Sequence, residues 1–299
     1  DSNNASHPAW QRALMSSALD VDRLDYLRRD SLFTGAGYGH FDFHRLLTTV
    51  EFYGGETDLV WPAKSALAIE EYIFARYYMY QNVYLHKTTR GFEQLLQAMW
   101  RRANQLRRDG KAIDANPVLE QFWKADKPEP GTLSIEDYLR VEEYTVQEQI
   151  QRWTRHSDKP LADCARRFLE RDGLAMVEPP PPVNPLKTDD FGEWEPELHK
   201  LLRANGYEEP AMYCLADKID GKYLRPYIEE KDPQNQSAVN TIRVMVDGKP
   251  LAIGQYLPRL AAVIAKPEDK YCYYVPKEIR VEAKQLSQRL REFMTKTNT

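Results

Sequence analysis

The chain has 299 residues, a formal net charge of −4 and a hydrophobic fraction of 42%. A chain of this length can bury a core in one large domain or in two ordinary ones. The acidic balance argues against a protein that binds nucleic acid over its whole surface, although it leaves room for a local basic site that takes a phosphorylated small molecule. No run of about 18 apolar residues is present, so the sequence predicts no membrane span.

The cysteines indicate the cellular compartment of the protein but predict no disulfide framework and no metal site. Cys164, Cys214 and Cys272 are far apart and odd in number, so they predict neither a disulfide framework nor a metal-binding spacing. Unpaired cysteines are typical of a reducing compartment. We therefore expect the protein to be cytoplasmic.

The first part of the chain is predicted to be mostly helical, because apolar residues such as Val21, Leu24 and Leu27 recur at helical spacing. Ser134 is a candidate N-cap. The expected elements, in order, are a helix over 20–30, a glycine-rich loop at 34–39, a helix over 43–50, a strand pair or turn at 51–58, a helical region without internal proline over 65–106, and helices over 135–155 and 161–171.

The composition changes at the proline-rich stretch 178–185, which predicts a stiff extended connector. Beyond it we expect a short helix over 196–205, strands over 212–216, 241–246 and 271–275, a tight turn at Asp247-Gly248 and a closing helix over 277–295. The predicted fold class is therefore mainly α, with a helical portion followed by a small α+β domain.

Two helical faces carry groups that could bind a nucleotide. On a helix, Asp22, Arg23, Tyr26 and Asp30 fall within an arc of roughly 100°. Such a face could hold a cation, a phosphate and a sugar hydroxyl, or it could be a solvated face with i,i+4 ion pairs.

The second face carries Arg76, Tyr80, Tyr84 and Lys87, which share an arc of about 80° if the helix is continuous. Two cations framing two phenols suit a polyphosphate beside a sugar. A tyrosine packing stripe with basic ends is the alternative.

The stretch from Asp20 to Asp30, followed by 31–35, resembles the last catalytic motif of HD-domain phosphohydrolases, in the branch that contains deoxynucleotide triphosphohydrolases. The resemblance implies that Asp22 is a metal ligand, that Arg23 faces substrate phosphates, and that Tyr26 and Asp30 face the sugar. It also implies a divalent metal ion, with magnesium, manganese, iron, zinc and nickel not distinguished.

A second motif is similar to the helix that faces the first one in that family. By the resemblance, Arg76 contacts a terminal phosphate and Tyr84 the sugar, while His86 and Lys87 lie at the edge of the active site or at a neighbouring subunit. Tyr80 stands where better-known members have a histidine, which leaves the choice of nucleotide open.

The adjacent His-Asp pair that gives this family its name is missing from the sequence. We therefore expect a C-terminal part of a longer enzyme, inactive by itself, with the end of the HD domain at 1–125, a helical extension at 126–178 and an α+β assembly or regulatory domain at 179–299. Looser similarity in 223–227, 246–248 and 271–276 extends the resemblance into the tail.

The implied activity is hydrolysis of deoxynucleoside triphosphates to deoxynucleoside and triphosphate. The expected partners are the nucleotide substrate, an allosteric nucleotide and further copies of the chain, with no membrane and no nucleic acid. A phosphohydrolase for nucleoside monophosphates, a degenerate nucleotide sensor and, more weakly, a nuclease are the alternatives.

Overall fold

The computed structural model describes residues 8–55, 58–124, 134–182, 191–221, 241–263 and 269–297. The chain divides into two compact units, one made of 1–86 and 219–270 and the other of 87–218 and 271–299. The fold is mainly α-helical with small sheets, as the sequence predicts. The three-part division at 126 and 179 stays a prediction.

The helices are α1 (Ala9–Met15), α2 (Val21–Thr34), α3 (Phe43–Thr48), α4 (Ala66–Met79), α5 (Lys87–Arg108), α6 (Pro117–Lys124), α7 (Ile135–Leu139), α8 (Glu143–Trp153), α9 (Lys159–Leu169), α10 (Trp194–Ala204), α11 (Ile253–Tyr256), α12 (Pro258–Val263) and α13 (Arg280–Thr297). The strands are β1 (Glu51–Tyr53), β2 (Asp58–Pro62), β3 (Ala175–Val177), β4 (Leu215–Ile219), β5 (Arg243–Val246), β6 (Lys249–Ala252) and β7 (Lys270–Val275).

The first unit contains a four-stranded sheet in the order β1-β2-β5-β6. The expected strand pair or turn in 51–58 is observed as β1 and a turn, and the antiparallel partner β2 extends beyond the predicted stretch to Pro62. β2 also pairs in parallel with β5. The tight turn between β5 and β6 is also confirmed: Asp247 and Gly248 both have positive φ, 47° and 77°. A two-residue hairpin of this twist requires positive φ at both positions, which Asp-Gly tolerates.

The core of the first unit is built where α2 packs against α4. Leu27, Ile69 and Tyr72 are fully buried there, and each such side chain contributes about 1.5–3 kcal/mol of transfer free energy. The Tyr72 hydroxyl donates a 2.7 Å hydrogen bond to the Ala18 carbonyl just before α2. This contact fixes how α2 lies along α4.

The second unit packs α9 against both α5 and α8, and α13 against α10. Its sheet has the order β3-β7-β4. The indole rings of Trp100, Trp123 and Trp153 contact one another between α5, α6 and α8. The expected strand over 271–275 and the closing helix are confirmed as β7 and α13.

Two expected helices are interrupted. The region 65–106 breaks after α4 into one turn of π-helix, Tyr80–Tyr84, and α5 starts at Lys87. The expected helix over 135–155 is two helices, because Glu142 starts a new one: its side chain and that of Thr145 form a capping box.

The expected strand over 212–216 is shifted along the chain. Pro210 begins a single 3-10 turn that includes Met212, and the strand starts at Leu215. Proline fixes its own φ near the helical value, which favours the turn at this point. The proline-rich stretch has no helix or strand from Glu178 to Pro182, and 183–185 and 223–227 lie outside the described residues.

Candidate functional site

Five of the predicted site residues meet where α2 faces the end of α4. Tyr26 and Asp30 come from α2, Arg76 from α4, and Tyr80 and Tyr84 from the π turn that follows it. We call these five residues the tyrosine cluster. Helix α2 begins at the N-cap Asp20 and ends at Gly35, which has a left-handed φ of 70°, so local signals at both ends define its length.

The hydroxyl of Tyr84 donates a 2.6 Å hydrogen bond to the carboxylate of Asp30. Burial raises the pKa of Tyr84, and the neighbouring Asp30 carboxylate raises it further. The phenol is therefore protonated at neutral pH and acts as a donor. Because a carboxylate can accept about four hydrogen bonds, Asp30 keeps acceptor capacity for a second hydroxyl group.

Arg76 is buried, with 5% of its surface exposed, and its guanidinium lies 4.5 Å from the centre of the Tyr80 ring. That distance is typical of a cation–π contact. The Tyr80 hydroxyl lies 3.4 Å from that of Tyr26. Burial and this neighbour raise the pKa of Tyr26, whereas the charge of Arg76 acts in the opposite direction. The arrangement is one guanidinium beside two phenol groups, which suits an anion.

The π turn gives the cluster its shape. The Leu85 N–H donates to the Tyr80 carbonyl at 2.8 Å, five residues back, so the helix is wider here than an α-helix. The Tyr80 and Tyr84 rings meet edge to face with centroids 5.0 Å apart. π turns of this kind are frequent at functional sites.

The expectation that Lys87 shares a continuous face with Arg76 and Tyr84 is wrong in its geometry. The extra residue in the π turn changes the helical phase, and His86 lies between the π turn and α5, outside both. His86 is exposed, and Lys87 opens the first helix of the second unit. Their roles in binding stay predictions.

Arg23 and Asp22 lie in the first turn of α2. One terminal nitrogen of Arg23 donates to the Asp20 carboxylate and to the Ser17 carbonyl. Burial raises the pKa of the Asp20 carboxyl, while Arg23 acts in the opposite direction. Asp20 was not among the predicted site residues, although an Asp three residues before an Arg at a helix start could have indicated it.

Asp22 is exposed, and it is the residue that the sequence motif assigns to a metal. Within the described residues, no group of three or more His, Cys, Asp or Glu side chains could hold a metal ion. Stable divalent sites need several such ligands.

Comparison with known proteins shows which families and proteins this chain resembles. Residues 41–121 match the family model described as the HD associated region. The chain is 34% identical over 222 residues to the Bacillus subtilis protein YwfO, covering 73% of this chain and 48% of the relative. It is 32% identical over 142 residues to the Methanocaldococcus jannaschii protein MJ1154, covering 46% of this chain and 28% of that protein.

Two solved structures share the fold. A phosphohydrolase from Bacteroides thetaiotaomicron matches 89% of this chain and 63% of its own, with a TM-score of 0.70 and 23% identity. A hypothetical protein from Aquifex aeolicus matches 93% and 59%, with a TM-score of 0.55 and 22% identity. These likenesses show a shared fold. The chain spans about half the length of YwfO.

In the described residues, no helix is long and apolar enough to cross a membrane.

Proposed function

We propose that the protein is a metal-dependent HD-type phosphohydrolase that releases triphosphate from deoxynucleoside triphosphates, and that this chain contributes the side chains that hold the phosphates and the sugar. The observation that carries the proposal is the tyrosine cluster, which puts a buried guanidinium, phenol donors and a carboxylate acceptor side by side. The HD associated region and the structural likeness to a phosphohydrolase support it.

Each member of the cluster has a chemical role in this proposal. Arg76 offers planar donors and a fixed positive charge to a phosphate, since guanidinium stays protonated. Asp30, held by Tyr84, accepts a hydrogen bond from a sugar hydroxyl. Tyr26 and Tyr80 present aromatic surface beside the sugar and exclude water from it, which strengthens the polar contacts.

Arg23 and Asp22 have proposed roles at the first turn of α2. Arg23 would neutralise phosphate charge as the bond from the α-phosphorus to the nucleoside oxygen breaks. Asp22 would give one carboxylate ligand to the metal, with the remaining ligands outside the described residues. His86 and Lys87 would lie at the edge of the substrate site.

The test uses the protein expressed from its complete gene. A panel of deoxynucleoside triphosphates is supplied, and turnover is compared for wild type, Arg76→Ala and Arg45→Ala. Arg45 is a matched control because it is an arginine of the same unit that pairs with Asp42 at the surface. Loss of a charged hydrogen bond predicts that Arg76→Ala raises KM by about tenfold to a hundredfold, and that Arg45→Ala leaves it unchanged.

Other outcomes would identify the alternatives. Binding of the nucleotides without turnover would support the alternative that the protein is a nucleotide sensor. Turnover of nucleoside monophosphates alone would indicate a monophosphate phosphohydrolase. Equal effects of the Arg76 and Arg45 variants would remove the tyrosine cluster from the substrate site.

A further inference from the structure

The buried carboxylate of Asp20 makes two different contacts at the start of α2. One oxygen accepts a 2.8 Å hydrogen bond from the backbone N–H of Arg23, which caps the helix. The other accepts from the guanidinium of the same Arg23. That guanidinium nitrogen also donates to the Ser17 carbonyl. The side chain of Arg23 is therefore held at two points next to the helix end.

A second helix start in the same unit has the same design at the surface. Asp42 caps α3 through the Arg45 N–H at 3.0 Å and accepts from the Arg45 side chain at 3.1 Å. Arg45 also donates to the Lys64 carbonyl at 3.4 Å. The Asp42 side chain is 46% exposed, whereas that of Asp20 is 3% exposed.

Capping alone does not account for the burial of Asp20. Asp42 makes the same kind of cap at the surface, and burying a carboxylate costs free energy that only good pairing offsets. Burial of the Asp20 carboxylate also fixes the position of its partner, the Arg23 guanidinium. An arginine that binds a phosphate must give up side-chain freedom, so an arginine that is already held loses less on binding.

We propose that Asp20 is a positioning residue, which fixes the guanidinium of Arg23 for contact with a substrate phosphate. The role rests on the proposed function. Asp20 itself does not touch substrate; it acts through Arg23. The Asp42–Arg45 pair, which makes similar contacts on a face without a proposed substrate, has no such role.

Two measurements on the complete protein test this role. The first is nuclear magnetic resonance of the arginine Nε–H groups without nucleotide. Asp20→Asn keeps the cap, since asparagine caps as well as aspartate, but weakens the hold on the guanidinium. We expect the Arg23 side chain to become less ordered in this variant while the Arg45 side chain is unaffected. In Asp42→Asn, the Arg45 side chain should become less ordered and the Arg23 side chain should be unaffected. If Asp20→Asn does not fold, Asp20→Ser is the second variant.

The second measurement is a double-mutant cycle on KM. Asp20→Asn should raise KM for the deoxynucleoside triphosphate by about threefold to tenfold, from the cost of ordering one long side chain. In an Arg23→Ala background the same change should have little further effect, because the residue it acts through is gone. The parallel cycle with Asp42→Asn and Arg45→Ala should leave KM unchanged.

Several results would overturn the role. One is a double variant whose change in KM is the full sum of the changes caused by Asp20→Asn and Arg23→Ala. Another is a lower KM in Asp20→Asn than in wild type. The third is an Arg23 side chain that stays as ordered in Asp20→Asn as in wild type. A wild-type protein that neither binds nor hydrolyses any deoxynucleoside triphosphate would overturn the proposed function and the role with it. In that case the resonance experiment would still show whether Asp20 holds Arg23.

Discussion

The hydrogen bond from the Tyr84 hydroxyl to the Asp30 carboxylate joins the π turn to α2 across 54 residues of sequence. It joins two of the three elements that carry the tyrosine cluster. It also orients the carboxylate that we assign to the sugar.

Replacing Tyr84 by phenylalanine removes that hydroxyl and keeps the ring. We expect the variant to lose about 1 kcal/mol of stability, the usual net value of one hydrogen bond, and to bind deoxynucleoside triphosphates more weakly because Asp30 is no longer oriented. Thermal unfolding and KM report the two effects. Tyr78→Phe is the matched control, since Tyr78 is an exposed tyrosine on α4. Equal KM values in the two variants would contradict the role of Tyr84.

Two glycines of the loop after α2 differ sharply in the space around them. A Cβ atom on Gly39 would overlap the Leu27 carbonyl oxygen and the Ser31 side chain, whereas one on Gly37 would meet nothing within 4 Å. Gly39→Ala should therefore lower stability by about 1–3 kcal/mol, as overpacked sites do. Gly37→Ala should change it little. Thermal midpoints measure both, and a Gly39→Ala protein as stable as Gly37→Ala would contradict the close approach.

The raised pKa of Tyr84 predicts that this residue contributes less to stability at alkaline pH. Burial and Asp30 raise the pKa of Tyr84 above its ordinary value near 10. The fold thus favours the protonated phenol, so its contribution is complete below about pH 10 and is lost as pH rises further. The difference in unfolding free energy between wild type and Tyr84→Phe, measured by urea titration, should be constant from pH 8 to about pH 9 and shrink above about pH 10. A constant difference up to about pH 11 would contradict the shift.

A buried ion pair predicts a large mutational effect in the second unit. The Arg102 guanidinium donates to both Asp158 oxygens, at 3.1 and 2.7 Å, with side chains 9% and 12% exposed. Burial acts to raise the pKa of Asp158, but the hydrogen bonds from Arg102 and from the Leu161 N–H, together with the charge of Arg102, outweigh it, so the pKa is lowered. Asp158→Asn keeps the cap of α9 but replaces the charged partner of Arg102 by a neutral amide, while Glu209 stays as a second carboxylate partner at 3.1 Å. The variant should cost about 1.5–3 kcal/mol, the usual value of a hydrogen bond to a charged group.

The control for this pair is an exposed one. Asp25 and Arg29 are bonded at 2.6 Å but have side chains 57% and 62% exposed. Asp25→Asn should change stability by less than about 1 kcal/mol, since solvent screens such pairs. Urea unfolding measures both variants, and similar losses in the two would contradict the importance of burial.

Local signals in the sequence were enough to predict several elements. Apolar spacing predicts the helix over 20–30, although α2 continues to Thr34, and Asp247-Gly248 predicts the hairpin of β5 and β6. Both signals act on residues close by in the chain. The mainly helical fold class follows from the same kind of pattern. The capping box at Glu142 is also local, but its effect on a predicted longer helix was not foreseen.

Contacts between distant segments could not be predicted in this way. The π turn shifts the phase of Tyr84 relative to Arg76, and no residue pattern on α4 requires it. The parallel pairing of β2 with β5 joins residues such as Trp61 and Val244, which the sequence does not connect. The helical arcs proposed from spacing placed Tyr26 and Asp30 on one face, but their partners on the π turn depend on tertiary packing.

The most direct test of the proposed function is the fate of the oxygen from water. The complete protein is incubated with a deoxynucleoside triphosphate in ¹⁸O-labelled water. The products are separated, and their masses are measured by mass spectrometry. Attack of water at the α-phosphorus predicts unlabelled deoxynucleoside and triphosphate that carries one labelled oxygen. Release of orthophosphate or pyrophosphate with a deoxynucleotide as the other product would contradict the proposal.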